Sequence, residues 1–204
     1  NNSVKDFLCK NQPGSTFPPV AGNVEENDII DVSDNPHSPI IVEVGGRTSK
    51  RIRISSGMGP LFYKWPLEHT SNRPVIALDV FDTPPPLPRV VKDYYKGFLE
   101  DPCSWAEKAV KEYGADMVSI HFPGLDPSIL NRPVREAAEI AVEVLDRIKV
   151  PIIVGGCGNP RKDLEFFREV AEMASGEGIV LASVTVNMDI GEYAKLIVDH
   201  GHVA

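Results

Sequence analysis

Cysteine is scarce in this sequence. Cys9, Cys103 and Cys157 lie far apart, with no CxxC spacing among them. An odd, scattered set gives neither a disulfide framework nor the ligand spacing of a zinc or iron–sulfur site. It reads as the usage of a reducing, cytoplasmic compartment. Positive charge is also short: 21 Lys and Arg against 29 Asp and Glu leave a formal net charge of −8. That balance argues against nucleic acid or an anionic membrane as partner. Long apolar runs are missing, since none approaches the ~20 residues of a membrane span. The opening stretch NNSVKDFLCKNQPG has no basic region leading into an apolar core, so it is not read as a signal peptide. It also has no initiating Met, so the chain is read as processed or as a fragment.

What is present falls into two parts, residues 1–74 and 75–204. The first is rich in Pro, Gly, Asn and Ser and has little helical period. Two β-branched runs, Ile40–Val44 and Arg51–Ser55, flank Gly45-Gly46-Arg47-Thr48-Ser49 and predict a β-hairpin. SSGMGPLFYKWP then reads as a loop with an aromatic anchor, and the whole part as an irregular lid or docking extension.

From residue 75 strands and helices alternate. Apolar runs over 75–81, 117–120, 150–154 and 179–184 predict four strands. Between them lie helical faces: Trp105, Ala106, Ala109, Val110 and Tyr113; then Ala137 to Ile148; then Leu164, Phe167, Val170, Ala171 and Ala174. Tyr193, Leu196 and Ile197 open a fourth helix, which HGHVA terminates. Asp101-Pro102 is a helix start, an N-cap followed by a residue suited to the first turn, and Gly114 is a stop. Four βα units, at a spacing near the ~30 residues of a βαβ unit, predict an α/β fold with a parallel sheet. The residues alone leave open an open doubly wound sheet or the front half of a (β/α)₈ barrel, which takes ~250 residues.

In both architectures ligands meet the carboxyl ends of the strands. Those ends carry Asp79 and Asp82, then His121, then Gly156, Cys157 and Asn159, then Asn187 and Asp189. A buried Asp79 would need a donor or a function, whereas Asp82 suits the start of the Pro84-Pro85-Pro86 loop. His121 could hydrogen-bond a ligand or move a proton, or be a satisfied strand-end histidine. Cys157 has no His or Cys near it in sequence, which speaks against nucleophile and metal ligand alike. Asn159 and Asn187 offer donors and an acceptor without charge, although Asn159 could equally turn the chain before Pro160. Glycines at 155, 156 and 158 remove bulk from a rim that a broad, flat ligand could approach. GGCG lacks the third glycine of a dinucleotide fingerprint and the Gly-Lys-Ser/Thr of a phosphate loop. His37, His69, His200 and His202 show no metal-ligand spacing, and the last two read as a helix-end feature.

DVFD at 79–82, DPCSWA at 101–106, GAD at 114–116, VPIIVGGCGNPRKD at 150–163 and GEGIVLASVTVNMD at 176–189 occur together. From about residue 45 to the last residue the sequence resembles the delta subunit of the archaeal acetyl-CoA decarbonylase/synthase complex. The bacterial counterpart of that subunit is the small subunit of the corrinoid iron–sulfur protein. The resemblance implies a TIM barrel of which this sequence holds about the first four βα units. It implies a larger gamma subunit that bears the iron–sulfur cluster, with none on this chain. A corrinoid (cobamide) would lie between the two, facing the strand ends. The implied task is methyl transfer between a methyl-tetrahydropterin and the acetyl-CoA synthase site, in anaerobic one-carbon metabolism such as methanogenesis. Asp79, His121, Gly156, Asn159 and Asn187 are the expected cofactor-facing residues, acting by hydrogen bonding and not by covalent catalysis. Two other readings stand beside this one: a stand-alone pterin-binding methyltransferase of similar barrel fold, gripping the pterin through Asp79 and Asn159, and a purely architectural subunit.

Overall fold

The computed structural model describes residues 41–55 and 75–204. Ile40, the SSGMGPLFYKWP anchor apart from Ser55, Cys9, His37 and His69 lie outside the described residues. The predicted hairpin is formed by β1 (Ile41–Val44) and β2 (Ile52–Ser55), paired antiparallel with Val44 opposite Ile52.

The rest is a four-stranded parallel sheet: β3 (Ala77–Phe81), β4 (Met117–His121), β5 (Ile152–Gly155) and β6 (Val180–Ala182), in that order. β3 and β5 start two residues inside their apolar runs, whose first residues serve as the approach to the ladder, whereas β4 runs on to His121 and β6 stops two residues short of Val184. The helices are α1 (Arg89–Tyr94), α2 (Pro102–Lys111), α3 (Val134–Arg147), α4 (Pro160–Met173) and α5 (Ile190–His200). The short α1 lies in the β3–α2 connection and was not read from the sequence; its buried side is empty, so it leaves no amphipathic signature.

Sequence-local chemistry sets the helix ends. Asp101 accepts the Cys103 N–H at 3.1 Å with Pro102 in the first turn, and Asn159 accepts the Lys162 N–H at 3.3 Å with Pro160 behind it. Asp189 caps α5 by accepting the Glu192 N–H at 3.0 Å, and Gly201 at φ +69° ends it. α2 stops at Lys111, so Tyr113 falls beyond the helix, where it meets the Tyr95 ring edge-on.

Parallel register turns strand alternation into two sheet faces. One row, Val80, Ile120, Val154 and Leu181, is fully buried, as are Val118 and Ile152 one step earlier. These face the helices, whose neighbours α2–α3, α3–α4 and α4–α5 pack side by side. The other face carries Asp79, Ser119, Ile153 and Val180 in one row and Phe81, His121, Gly155 and Ala182 in the next. The strand order contains no reversal among the described residues. After α5 the chain makes an isolated parallel bridge to β6: Val203 donates to the Ile179 carbonyl and accepts from Leu181 N–H, both at 2.9 Å.

The hairpin docks at the amino ends of β5 and β6. Glu177, buried just before β6, accepts from the Thr48 N–H at 2.8 Å and the Thr48 hydroxyl at 2.9 Å. Gly45 N–H donates to the Gly178 carbonyl at 2.9 Å and Lys50 N–H to the Lys149 carbonyl at 3.1 Å. A Cβ on Gly46 would stand 2.4 Å from the Glu177 Cα, which is why glycine sits there. The hairpin thus packs at the sheet end opposite His121.

Candidate functional site

The carboxyl ends of β3 and β4 bring Asp79 and His121 together across 42 positions of sequence. His121 Nε2 lies 3.2 Å from Asp79 Oδ1 and 2.9 Å from Ser119 Oγ. Phe81, opposite His121 in register, stacks on the imidazole with centroids 5.3 Å apart. On the other side stands Gly155, also in register; a Cβ there would lie 2.6 Å from His121 Nδ1. The imidazole is therefore seated between a phenyl ring and a bare backbone. The Asp79 side chain is 63% exposed and that of His121 37%, so both reach solvent. A polar contact that open carries little net stability; its placement matters more than its strength.

The neighbouring candidates divide differently. Asp82 is buried; it accepts the Gly124 N–H at 3.0 Å and the Arg132 Nε–H at 2.9 Å. It ties down the β4–α3 loop, as its loop-starting position implied. Asp163, 4% exposed in the first turn of α4, accepts the Cys157 and Gly158 N–H groups, both at 2.8 Å. The space beside Gly156 is filled by that carboxylate, with Asp163 Oδ1 2.2 Å from where a Cβ would be. Gly156 thus has a packing reason at the β5–α4 turn. Gly158, at φ +93°, faces open space instead. Asn159 is the α4 N-cap, and Asn187 lies exposed in the β6–α5 turn.

The two described cysteines are held in the thiol form at neutral pH. Burial, reinforced by Asp163, raises Cys157 to about 11; burial, reinforced by Glu143, raises Cys103 to about 12. Among the described residues no three His, Cys, Asp or Glu side chains converge as metal ligands. His202 is buried and donates from Nε2 to the Ala171 carbonyl at 3.0 Å, while His200 ends α5; the helix-end reading of this pair holds.

Sequence reading passed over Ser119 and Asp163, and took Gly155 only as a rim glycine. Ser119 was within reach: Ser119 and His121 differ by two positions in one strand and share a face. Gly155 needed the inter-strand register, which no single segment encodes. Also unforeseen is the apolar rim. Val90 and Tyr94 on α1, Ile129 and Leu130 on the β4–α3 loop, and Val184 and Val186 on the β6–α5 loop are all exposed. All six lie on connections leaving the carboxyl ends of strands. Thr83 and Thr185, on the same connections, have buried hydroxyl oxygens without a hydrogen-bond partner among the described residues.

These features define an α/β protein of successive parallel βα units, with a polar cluster and an apolar rim at the end of the sheet where such folds meet ligands. Comparison with known families narrows the class. A family described as "CO dehydrogenase/acetyl-CoA synthase delta subunit" matches residues 43–204, and the chain belongs to it. The delta subunit of the acetyl-CoA decarbonylase/synthase complex of Methanothermobacter thermautotrophicus is 41% identical over 162 residues, covering 79% of this chain and 41% of that protein. The Archaeoglobus fulgidus delta subunit is 40% identical over 161 residues, 78% of this chain and 35% of its own length. Delta subunit 1 of Methanosarcina thermophila is 37% identical over 159 residues, 78% and 36% respectively. The chain thus spans about two fifths or less of each of these relatives. No helix among the described residues is long and apolar enough to cross a membrane.

Proposed function

We propose that this chain supplies part of the cluster-free subunit of a corrinoid methyl carrier in the acetyl-CoA decarbonylase/synthase complex. Its carboxyl-end face contacts the corrinoid and helps organise methyl transfer between a tetrahydropterin and the acetyl-CoA synthase site. Its partners are the cluster-bearing gamma subunit and the other subunits of the complex, in the cytoplasm. The observation that carries this reading is the exposed Asp79–His121 pair on the open sheet face, rimmed by six outward apolar side chains. Clustered exposed apolar groups around polar ones mark interaction surfaces, and delta-family membership supplies the context. Unreversed strand order and the parallel bridge at Val203 support a (β/α)₈-barrel type of fold, of which these are the first units.

The residues present suit the group. A corrinoid is a broad ring bearing amide side chains, which seek neutral donors and acceptors. Half-buried His121 and exposed Asn187 offer these, the exposed Asp79 carboxylate adds an acceptor, and the Asn159 amide stands at the same end. Unpartnered Thr83 and Thr185 oxygens fit an added polar partner. Neither described cysteine is a thiolate at neutral pH, so nothing here competes for a metal through sulfur. When bound, the corrinoid supplies a cobalt that takes up and gives up a methyl group. The chain's own part is to hold the ring's amides, exclude water with the rim, and orient the partner.

Co-expression with the cluster-bearing subunit tests this through the cobalt absorption of the purified complex. Asp79→Ala and Asn187→Ala each lower corrinoid retention or the methyl-transfer rate. Asn159→Ala does the same beyond what its lost N-cap explains, which is ~0.5–2 kcal/mol of folding stability. Unchanged retention and rate in all three variants would leave a purely architectural subunit. Binding of methyl-tetrahydropterin without any partner would favour a stand-alone methyltransferase.

A further inference from the structure

The ligands of His121 fix more than its position. Nε2 faces two oxygens, Asp79 Oδ1 at 3.2 Å and Ser119 Oγ at 2.9 Å. A carboxylate oxygen accepts, so the bond to Asp79 requires the proton on Nε2. Ser119, buried beneath the ring at 7% exposure, then shares that proton as second acceptor. In the neutral imidazole the other nitrogen, Nδ1, is left bare, since the hydrogen bond made by one ring nitrogen sets the state of the other. Nδ1 is also the atom that overlies Gly155, in the space a Cβ would occupy. Phe81 closes the opposite flank by stacking.

We propose that Ser119 and Gly155 are positioning residues. With Asp79 they hold His121 in one rotamer and one tautomer, Nε2 protonated and Nδ1 the hydrogen-bond acceptor, as the one oriented imidazole on the open sheet face. Gly155 is required because a methyl group would meet Nδ1 at 2.6 Å and drive the ring off its seat. Ser119 is required because the Asp79 carboxylate alone, on an exposed side chain, leaves the ring free to turn. The ligand this presents to is a neutral N–H donor, such as an amide or a ring N–H, met by an acceptor already oriented. This rests on the ligand-facing role proposed above for that end of the sheet.

Ring-nitrogen NMR on the full-length protein with ¹⁵N-labelled histidine tests it, with His121 assigned by signals lost in His121→Gln. The expected result, read in the neutral state of the ring, is a bare Nδ1 and a protonated Nε2. Ser119→Ala introduces a second tautomer or exchange broadening, and Gly155→Ala shifts both ring resonances. An Nδ1–H tautomer, or averaged tautomers in the unsubstituted protein, would overturn the proposal. So would ring signals untouched by Ser119→Ala, a variant too mild to unfold the chain. Corrinoid retention by the complex, measured on His121→Gln, separates the two claims. Loss of corrinoid together with a fixed tautomer supports both. A fixed tautomer with full retention sustains the positioning and removes the ligand role.

Discussion

Gly156 and Asp163 act as a single fastening. The carboxylate closes the β5–α4 turn by accepting two N–H groups, and only glycine leaves it room. Gly156→Ala therefore lowers stability by ~1–3 kcal/mol, the cost of overpacking a filled site, read as a shifted urea midpoint. Asp163→Ala strands the amides of Cys157 and Gly158 and costs ~1–3 kcal/mol per unmet group. His202 sets a pH dependence. Burial, with His200 nearby, holds its folded pKa below the ordinary imidazole value, and the hydrogen bond to Ala171 and the charge of Glu177 oppose this only in part. The unfolded chain thus takes up this proton first as pH falls. The stability it contributes is complete above the unfolded value of ~6.5 and is lost progressively below it. Thermal melts between pH 7.5 and 5.5 show this as a falling midpoint, with a shallower fall in His202→Gln. Of these residues, Asn159 and Asp189 were legible as strand-end polar groups, but their capping role needed the helix start. Asp163 sat unnoticed in NPRKD because its partners are backbone amides, which carry no sequence signature.

The βα elements were legible because each signal is local. Four apolar runs, four amphipathic faces and the Asp-Pro start formed close to where the pattern put them. Element ends were less legible: β6 stops at Ala182 although the apolar alternation runs to Val184, since beyond it no neighbouring strand is paired. The hairpin was readable, but its seat was not, because docking depends on Glu177, more than a hundred positions away. That seat yields its own prediction. Glu177→Ala removes the acceptor of both Thr48 bonds, an interaction with a charged group worth ~1.5–3 kcal/mol. Hydrogen exchange at Gly45, Thr48 and Lys50 then rises, while β3 to β5 amides keep their protection. Equal loss of protection throughout would mean that hairpin and sheet unfold as one unit.

Taken whole, the molecule has two unlike ends. The amino end of the sheet is closed by the hairpin, and the carboxyl end carries Asp79, His121, exposed apolar side chains and two unpartnered threonine oxygens. The central claim is that a corrinoid shared with the cluster-bearing subunit meets the carboxyl end. Hydrogen exchange of the complex, compared with and without corrinoid, tests it most directly. The account predicts added protection in 79–83, 121–131 and 183–189, with 45–50 unchanged. Protection confined to the hairpin end, or no change in any segment of this chain, would contradict it.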